Sequence, residues 1–429
     1  EAGKTRIDAP VMGNLPDPQV QSFPAYLEAL DGVDLPVNFL SLPGLGTLQI
    51  AVNGYEAGRL SEAAIQEVQG LVAEALDAGA PGVSIGLMYL PEIYRTQDQV
   101  VAMLKPLGSR GKVLTTHIRG EGDSLVASVD EVLAIAREVG CPLQISHFKS
   151  GGRANWGKAI HEAIARVEEA RAQGQVVRVD FYPYDAGATS LNTMIPPSFV
   201  EGDMNRALQK MQTPAGVEEL RDGLDRQHPG WDNYALTVGW DRVIISGVTL
   251  EANKRCQGLT VTEAAARYYD GDVVRLVCDL MVTEDGVVGI MSRTMSQDDI
   301  DTVARLPYSV LISDSIYGSP EFPHPRLNGA FPKFLREYVQ ERSVVTLEEA
   351  IYKMTRLPGE VMGLADRGRL EVGARADLNL FDLERFRDRA TYTDGRLLAE
   401  GLDLCLVNGE PALADGEVLR QDLGSMLRI

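Results

Sequence analysis

Lys112-Val113-Leu114-Thr115-Thr116-His117-Ile118-Arg119 and Pro142-Leu143-Gln144-Ile145-Ser146-His147-Phe148-Lys149 are short apolar runs, and each stops on a histidine. Between them, Val129, Val132, Leu133 and Ala136 recur at three and four, the period of an amphipathic helix. Gly140 is placed to end that helix. The unit reads strand, helix, strand, with a histidine at the carboxyl end of each strand. Parallel α/β folds build their sites at that end, and a right-handed crossover brings the two strand ends together. Two imidazoles then converge, for which a divalent metal is the usual reason. A lone histidine near a strand is more often a hydrogen-bonded core residue. This chain has five histidines and two of them close consecutive strands, which favours a metal or catalytic role.

The 429 residues suffice for about three average domains, or for one (β/α) barrel with attachments. A hydrophobic content of 45% supplies a large core. The net charge of −20 argues against nucleic acid and anionic membrane as partners, because phosphate binding needs a basic face. Cys141, Cys256, Cys278 and Cys405 form no CxxC pair, so a reduced, cytoplasmic set is expected. No apolar run reaches the ~18–20 residues of a membrane helix, and no signal peptide is visible at the start given. Glu1 in place of an initiator methionine reads as a processed or truncated terminus.

Outward from the opening unit, Phe23–Leu30 suits a helix and Pro36–Ser41 a buried strand. A helix capped by Ser61 carries an apolar stripe of Ile65, Val68, Leu71, Val72, Ala75 and Leu76. Gly82–Leu87 and Val176–Phe181 are further strands, and Thr96–Leu107 and Ala159–Gln173 helices. The βα rhythm breaks from about 186 to 285, which reads as an insertion. It returns with Gly286–Met291 as a strand, Ser296–Ala304 as a helix and Ser309–Asp314 as the last barrel strand. From Asp366, regularly spaced glycines punctuate short β-like pieces, the pattern of a small all-β unit. The expected fold is α/β: a (β/α)8 TIM-like barrel over 10–366, with the insertion at 186–285. A small β domain is expected from 1–9 plus 367–429.

His117, His147 and Asp314 each close a predicted strand, and two imidazoles with a carboxylate make a plausible zinc set or metal-plus-base set. For Asp314 alone, helix capping is an equal reading. Lys149 and Arg326 place cations near the barrel mouth of an acidic protein, suited to a substrate carboxylate, though ordinary salt bridging is the commoner fate of an arginine. Tyr89, Tyr182 and Tyr184 follow strands and could donate to a reacting oxygen; core packing is the competing reading for each. His161 and His228 are assigned no role.

Thr116-His117-Ile118-Arg119, Ile145-Ser146-His147-Phe148-Lys149, Tyr182-Pro183-Tyr184, Ser313-Asp314 and His324-Pro325-Arg326 together resemble the amidohydrolase superfamily. The nearest branch is the N-acyl-D-amino-acid deacylases. Asp366-Arg367-Gly368, Ala376-Asp377-Leu378 and Val407-Asn408-Gly409 are similar to that superfamily's carboxyl-terminal β-unit. The resemblance covers nearly the whole chain, in order. It implies zinc-dependent hydrolysis of the linear amide of N-acyl-D-amino acids, with one or two zinc ions at the barrel mouth. His117 and His147 would be zinc ligands. Asp314 would be a ligand or lie beside the metal and act as general base, then acid. Lys149 and Arg326 would hold the free carboxylate of a small-molecule substrate. Tyr89 would help at the reacting carbonyl, with Tyr182 on the substrate side. A homo-oligomer is compatible with this reading. The serine that the family carries after Tyr184 falls on Ala188.

The beginning departs from the pattern. The family carries a His-x-His pair on its first barrel strand and a bridging cysteine just after a Gly-Asn. Here no His-x-His exists, and Leu15 follows Gly13-Asn14. Thr5–Ala9 reads as an edge strand of the β-unit, yet Ala9-Pro10 joins it directly to Val11–Asn14, which reads as the second barrel strand. A barrel without its first strand exposes an edge and apolar surface. The sequence therefore reads as a concatenation, with segments missing at Ala9/Pro10, after Asn14 and at the amino terminus. A cyclic-amide hydrolase of the hydantoinase or dihydroorotase kind is the alternative, but no lysine stands at a strand end in the place of a carboxylated bridge. A metal-free, non-catalytic relative is the other alternative, if the sequence is complete. The intact mass of the purified protein is expected to exceed the 46.7 kDa of these 429 residues; a mass near that value rejects the concatenation.

Overall fold

A computed structural model describes residues 22–316 and 322–429. The expected strands at Thr5–Ala9 and Val11–Asn14 lie outside the described residues. The central sheet is parallel. It begins with β1 (Gly82–Gly86), β2 (Val113–His117), β3 (Leu143–Ile145) and β4 (Val177–Phe181), joined by helices Gln97–Gly108, Leu125–Val139 and Ala159–Ala172. The chain then leaves the sheet for β5 (Gly187–Ser190), β6 (Val243–Gly247) and β7 (Gly289–Ser292). It returns as β8 (Ser309–Leu311), which pairs with β4. A parallel bridge from Gly44 to Ser84 sets an earlier segment against the other edge of β1. This is the arrangement of a (β/α)8 TIM-like barrel. Among the described residues it is carried by five strands, in the order β1-β2-β3-β4-β8, and the Gly44 bridge.

The core explains the arrangement. Val83, Ile85, Leu114, Leu143, Ile145, Val177 and Val179 are at most 4% exposed. They join one cluster with Val68 and Val72 of the Glu62–Asp77 helix, Met103 and Leu104 of the next, and Val129 and Val132 of the third. Each such side chain contributes roughly 1.5–3 kcal/mol on leaving water. The helix stripes read from sequence are therefore the faces that cover the strands. Ser61 caps its helix, its hydroxyl accepting from the Ala64 N–H at 3.2 Å. Gly140 ends the Leu125–Val139 helix with φ 76°, the left-handed conformation.

Two expectations fail. Gly289–Ser292 is not a barrel strand; it is the middle of a three-stranded antiparallel sheet, between β5 and β6. A strand buried on both faces shows the same continuous apolar run in either kind of sheet, so the sequence pattern could not separate them. This sheet packs into a second core of its own, with Leu191, Phe199, Val243, Ile245, Leu276 and Ile290. Pro36–Ser41 is not a buried strand either. Phe39 is 47% exposed, and the segment makes one isolated bridge, Phe39 to Met426. Asn38 instead ties it to the carboxyl-terminal unit, donating to Asp377 at 3.1 Å and accepting from Asn408 at 2.9 Å.

That unit is an antiparallel sheet of β9 (Leu378–Phe381), β10 (Leu402–Val407), β11 (Glu410–Ala414) and β12 (Glu417–Val418), in the order β12-β11-β10-β9. At the start of β8, the buried Lys353 ammonium donates to the Leu306 carbonyl, to the Ser309 carbonyl at 3.3 Å and to the Ser309 hydroxyl at 3.0 Å. Lys353→Met leaves those acceptors buried without a donor. It is expected to lower the free energy of unfolding by about 1–3 kcal/mol, read as a shift of the urea midpoint.

Candidate metal centre

His117 is the last residue of β2, and its backbone pairs with Gly86 of β1. His147 lies two residues beyond β3 with φ 36°, a conformation rare for a side chain larger than glycine. The turn is held by its neighbours. The His147 N–H donates to the Asp180 carboxylate, and Lys149 Nζ donates to the His147 carbonyl at 3.0 Å. Asp180 in turn accepts from Gln144 at 2.7 Å. Burial pushes the Asp180 pKa up to about 6, against the hydrogen bonds from Gln144 and His147. Strain fixed this firmly is a mark of a functional position.

The turn aims His147 Nε2 at His117 Nδ1, 2.8 Å away, with the rings edge to face. The other nitrogen of His117 contacts Met88 Sδ at 3.2 Å, and its ring stacks near Tyr89 with centroids 4.8 Å apart. Although partly accessible, the His117 ring is enclosed by protein. That desolvation pushes its pKa down to about 3, with Glu121 and Asp314 opposing. A neutral imidazole is the form that ligates metal.

The Glu121 carboxylate stands against the pair, its Oε1 2.8 Å from His147 Nδ1. One ligand atom from each of His117, Glu121 and His147 lies within 4.8 Å of the other two. Burial of the Glu121 carboxyl favours its protonated form. Lys149, His117 and His147 outweigh burial and hold its pKa well below the usual range. Glu121 escaped the reading of the sequence. Its one signal is an acid between two glycines, Gly120-Glu121-Gly122, four residues after His117. Asp180, next to last in β4, was missed because an acid near a strand end, buried behind the site, looks like any core polar residue.

Asp314, expected to share a cation with the two histidines, is near enough to His117 to oppose the fall of its pKa. It lies beyond β8 with φ 50°, and its Oδ2 is 2.6 Å from Arg326 Nη1. Arg326 was expected to grip a substrate carboxylate; its guanidinium is 1% exposed and already paired with Asp314. The guanidinium also lies over the Tyr182 ring, 4.7 Å from the centroid, and Lys149 Nζ is 5.8 Å from the same centroid. Among the described residues, Arg326 Nε and Tyr182 Oη are buried without a hydrogen-bond partner. His324 fixes the Arg326 backbone. Its Nε2–H donates to the Ala186 carbonyl at 3.0 Å, and its Nδ1 accepts the Arg326 N–H at 3.0 Å. Ala188 meets Arg326 through its backbone carbonyl, at 3.4 Å from Nη2.

The donor set fits a divalent metal. Two ring nitrogens converge at the mouth of a parallel barrel, one on a histidine held neutral, with carboxylates at hand. His117 Nδ1 and His147 Nε2 would be the atoms to hold such an ion.

The amidohydrolase family profile matches residues 281–412. Over 98% of its length the chain is 32% identical to the N-acyl-D-glutamate deacylase of Alcaligenes xylosoxydans xylosoxydans, spanning 77% of that protein. It is 29% identical to the D-aminoacylase of the same organism, over 95% of this chain and 73% of that one. Among solved structures, the N-acyl-D-glutamate deacylase of Bordetella bronchiseptica superposes with a TM-score of 0.79 at 30% identity, covering 95% of this chain and 75% of that one. That protein was crystallised with zinc and a phosphonate mimic of the tetrahedral intermediate. A D-aminoacylase structure gives the same TM-score at 29% identity, covering 97% and 79%, and a further D-aminoacylase structure is described as having a binuclear metal centre. The barrel, the paired histidines and these relatives agree, and the chain belongs to the amidohydrolases, in the branch of the N-acyl-D-amino-acid deacylases.

Proposed function

We propose that this protein is a zinc-dependent hydrolase of N-acyl-D-amino acids, releasing a carboxylic acid and a D-amino acid. The observation that carries the reading is the 2.8 Å approach of His117 Nδ1 to His147 Nε2 beside a buried, unsaturated Arg326. A divalent ion held by those nitrogens supplies Lewis-acid polarisation and an acidified water. Asp314 takes the proton of the attacking water and returns it to the leaving amine. Tyr89, stacked beside His117, donates to the acyl oxygen as charge develops there. Arg326 uses Nη1 to orient Asp314 and keeps Nε for the substrate carboxylate. Lys149 and the Tyr182 hydroxyl complete that anion subsite.

The division into a barrel over 10–366, an insertion over 186–285 and a small β domain from 1–9 plus 367–429 belongs to this proposal. The separate sheets of β5–β7 and β9–β12 support it, with the insertion running on past 285 to β7 at Gly289–Ser292. So does a cytoplasmic setting, supported by four free thiols. Among the described residues, no helix is long and apolar enough to cross a membrane.

Two measurements test the function. N-acetyl-D-glutamate, N-acetyl-D-aspartate and N-acetyl-D-leucine are each incubated with the zinc-loaded protein, alongside their L-enantiomers. Release of at least one D-amino acid is expected, abolished by a chelator and restored by Zn2+; no release from any D-substrate overturns the reading. Arg326→Met is expected to raise KM for the preferred substrate by about 10- to 100-fold, the value of one or two charge-assisted hydrogen bonds. His324→Phe, which frees the Arg326 backbone, is expected to raise KM in the same direction but by less.

A further inference from the structure

The two nitrogens of His147 have different neighbours. Nε2 faces His117 Nδ1, so that nitrogen is turned to the proposed ion. Nδ1 points the other way, 2.8 Å from Glu121 Oε1 and 2.8 Å from Lys149 Nζ. A neutral imidazole carries one proton. If Nε2 offers its lone pair to a metal, that proton sits on Nδ1 and requires an acceptor. The Lys149 ammonium has no lone pair, so the acceptor is Glu121. The same Oε1 receives Lys149 Nζ at 2.5 Å. We infer that Glu121 is a positioning residue, which fixes His147 for metal ligation and ties that ligand to the cation proposed for the substrate carboxylate.

The loop around Glu121 is built to hold this aim. The Glu121 carbonyl accepts the Gly151 N–H at 2.6 Å. Asp232, from the inserted unit, accepts the Gly122 N–H at 2.7 Å and the Ser124 N–H at 3.1 Å. A Cβ at position 120 would stand 1.9 Å from Ser124 Oγ and 2.6 Å from Asp232 Oδ2, so a side chain there would have to displace both. Glu121 itself is 5% exposed. Burial and the bonds to Lys149 and His147 hold its carboxylate at the ring. Carboxylates behind metal-bound histidines act in this way, and their loss weakens metal binding by about 10–100-fold.

This inference rests on the proposed metal-dependent function, and the test separates the two. Zinc affinity of the apoprotein is measured by competition with a chromogenic chelator, without substrate. Glu121→Gln is expected to weaken Zn2+ about 10- to 100-fold and to change the visible spectrum of the Co2+ form. Glu121→Asp, which keeps the charge, is expected to recover part of the loss and serves if the glutamine variant does not fold. Lys149→Met, which keeps the Glu121 carboxylate behind His147, is expected to weaken Zn2+ less than Glu121→Gln does, while raising KM for the N-acyl-D-amino acid. Wild-type Zn2+ affinity in folded Glu121→Gln, or in Glu121→Asp where the glutamine variant does not fold, overturns the inference and leaves the hydrolase reading intact. A zinc loss in Glu121→Gln in a protein that hydrolyses no N-acyl-D-amino acid sustains the inference and overturns the hydrolase reading.

Discussion

The parallel register of β2 on β3, with Thr116 opposite Ile145, sets where everything else in the site must stand. Because the two strands run the same way, His117 and the turn after β3 leave the sheet on one side, a short distance apart. An antiparallel pair would send them to opposite ends. The register is secured by apolar packing below it, where Leu114, Leu143 and Ile145 are essentially without exposure. The chemistry at the rim is thus a by-product of burial in the interior. Small shifts of the strands are resisted by the whole core rather than by the site's own few hydrogen bonds.

Register alone does not make the imidazoles meet. His147 is two residues past its strand and turns back through a positive φ. Asp180 accepts its backbone N–H, and Asp180 is a member of the next strand, β4. Three adjacent strands therefore contribute to one contact: β2 supplies a ring, β3 leads to the other, and β4 holds the second ring's backbone. Asp314, after β8 on the far side of β4, uses the same device of a left-handed turn. Strained backbone at two strand ends is tolerable when the surrounding sheet over-determines it.

The sequence made the periodic parts legible. Helix stripes, the Ser61 cap and the Gly140 stop follow from local chemistry, and they appear where periodicity put them. The histidine pair was legible for a similar reason: a polar ring at the end of an apolar strand is conspicuous. What stayed hidden depends on partners distant in the chain. Gly289–Ser292 looks alike in a barrel and in an antiparallel sheet. Pro36–Ser41 reads as a core strand, although Asn38 finds its partners more than three hundred residues later. Glu121 sits in a glycine-rich loop whose polar composition suggests only solvent. The loop is held by Asp232, over a hundred residues on. Arg326 and Asp314 were each recognised, but the ion pair between them was not, since spacing says nothing of which way two side chains turn.

The contact of Asp232 with the loop after β2 has a bearing on how such a protein can change over time. The inserted unit has its own hydrophobic interior and looks detachable. Yet one of its carboxylates holds the Gly122 and Ser124 amides of the loop that backs His147. Shortening or exchanging the insertion would release that loop even if the barrel folded unaltered. Any change to the β5–β7 unit must keep this one anchoring acid, or find another way to brace the ring behind it.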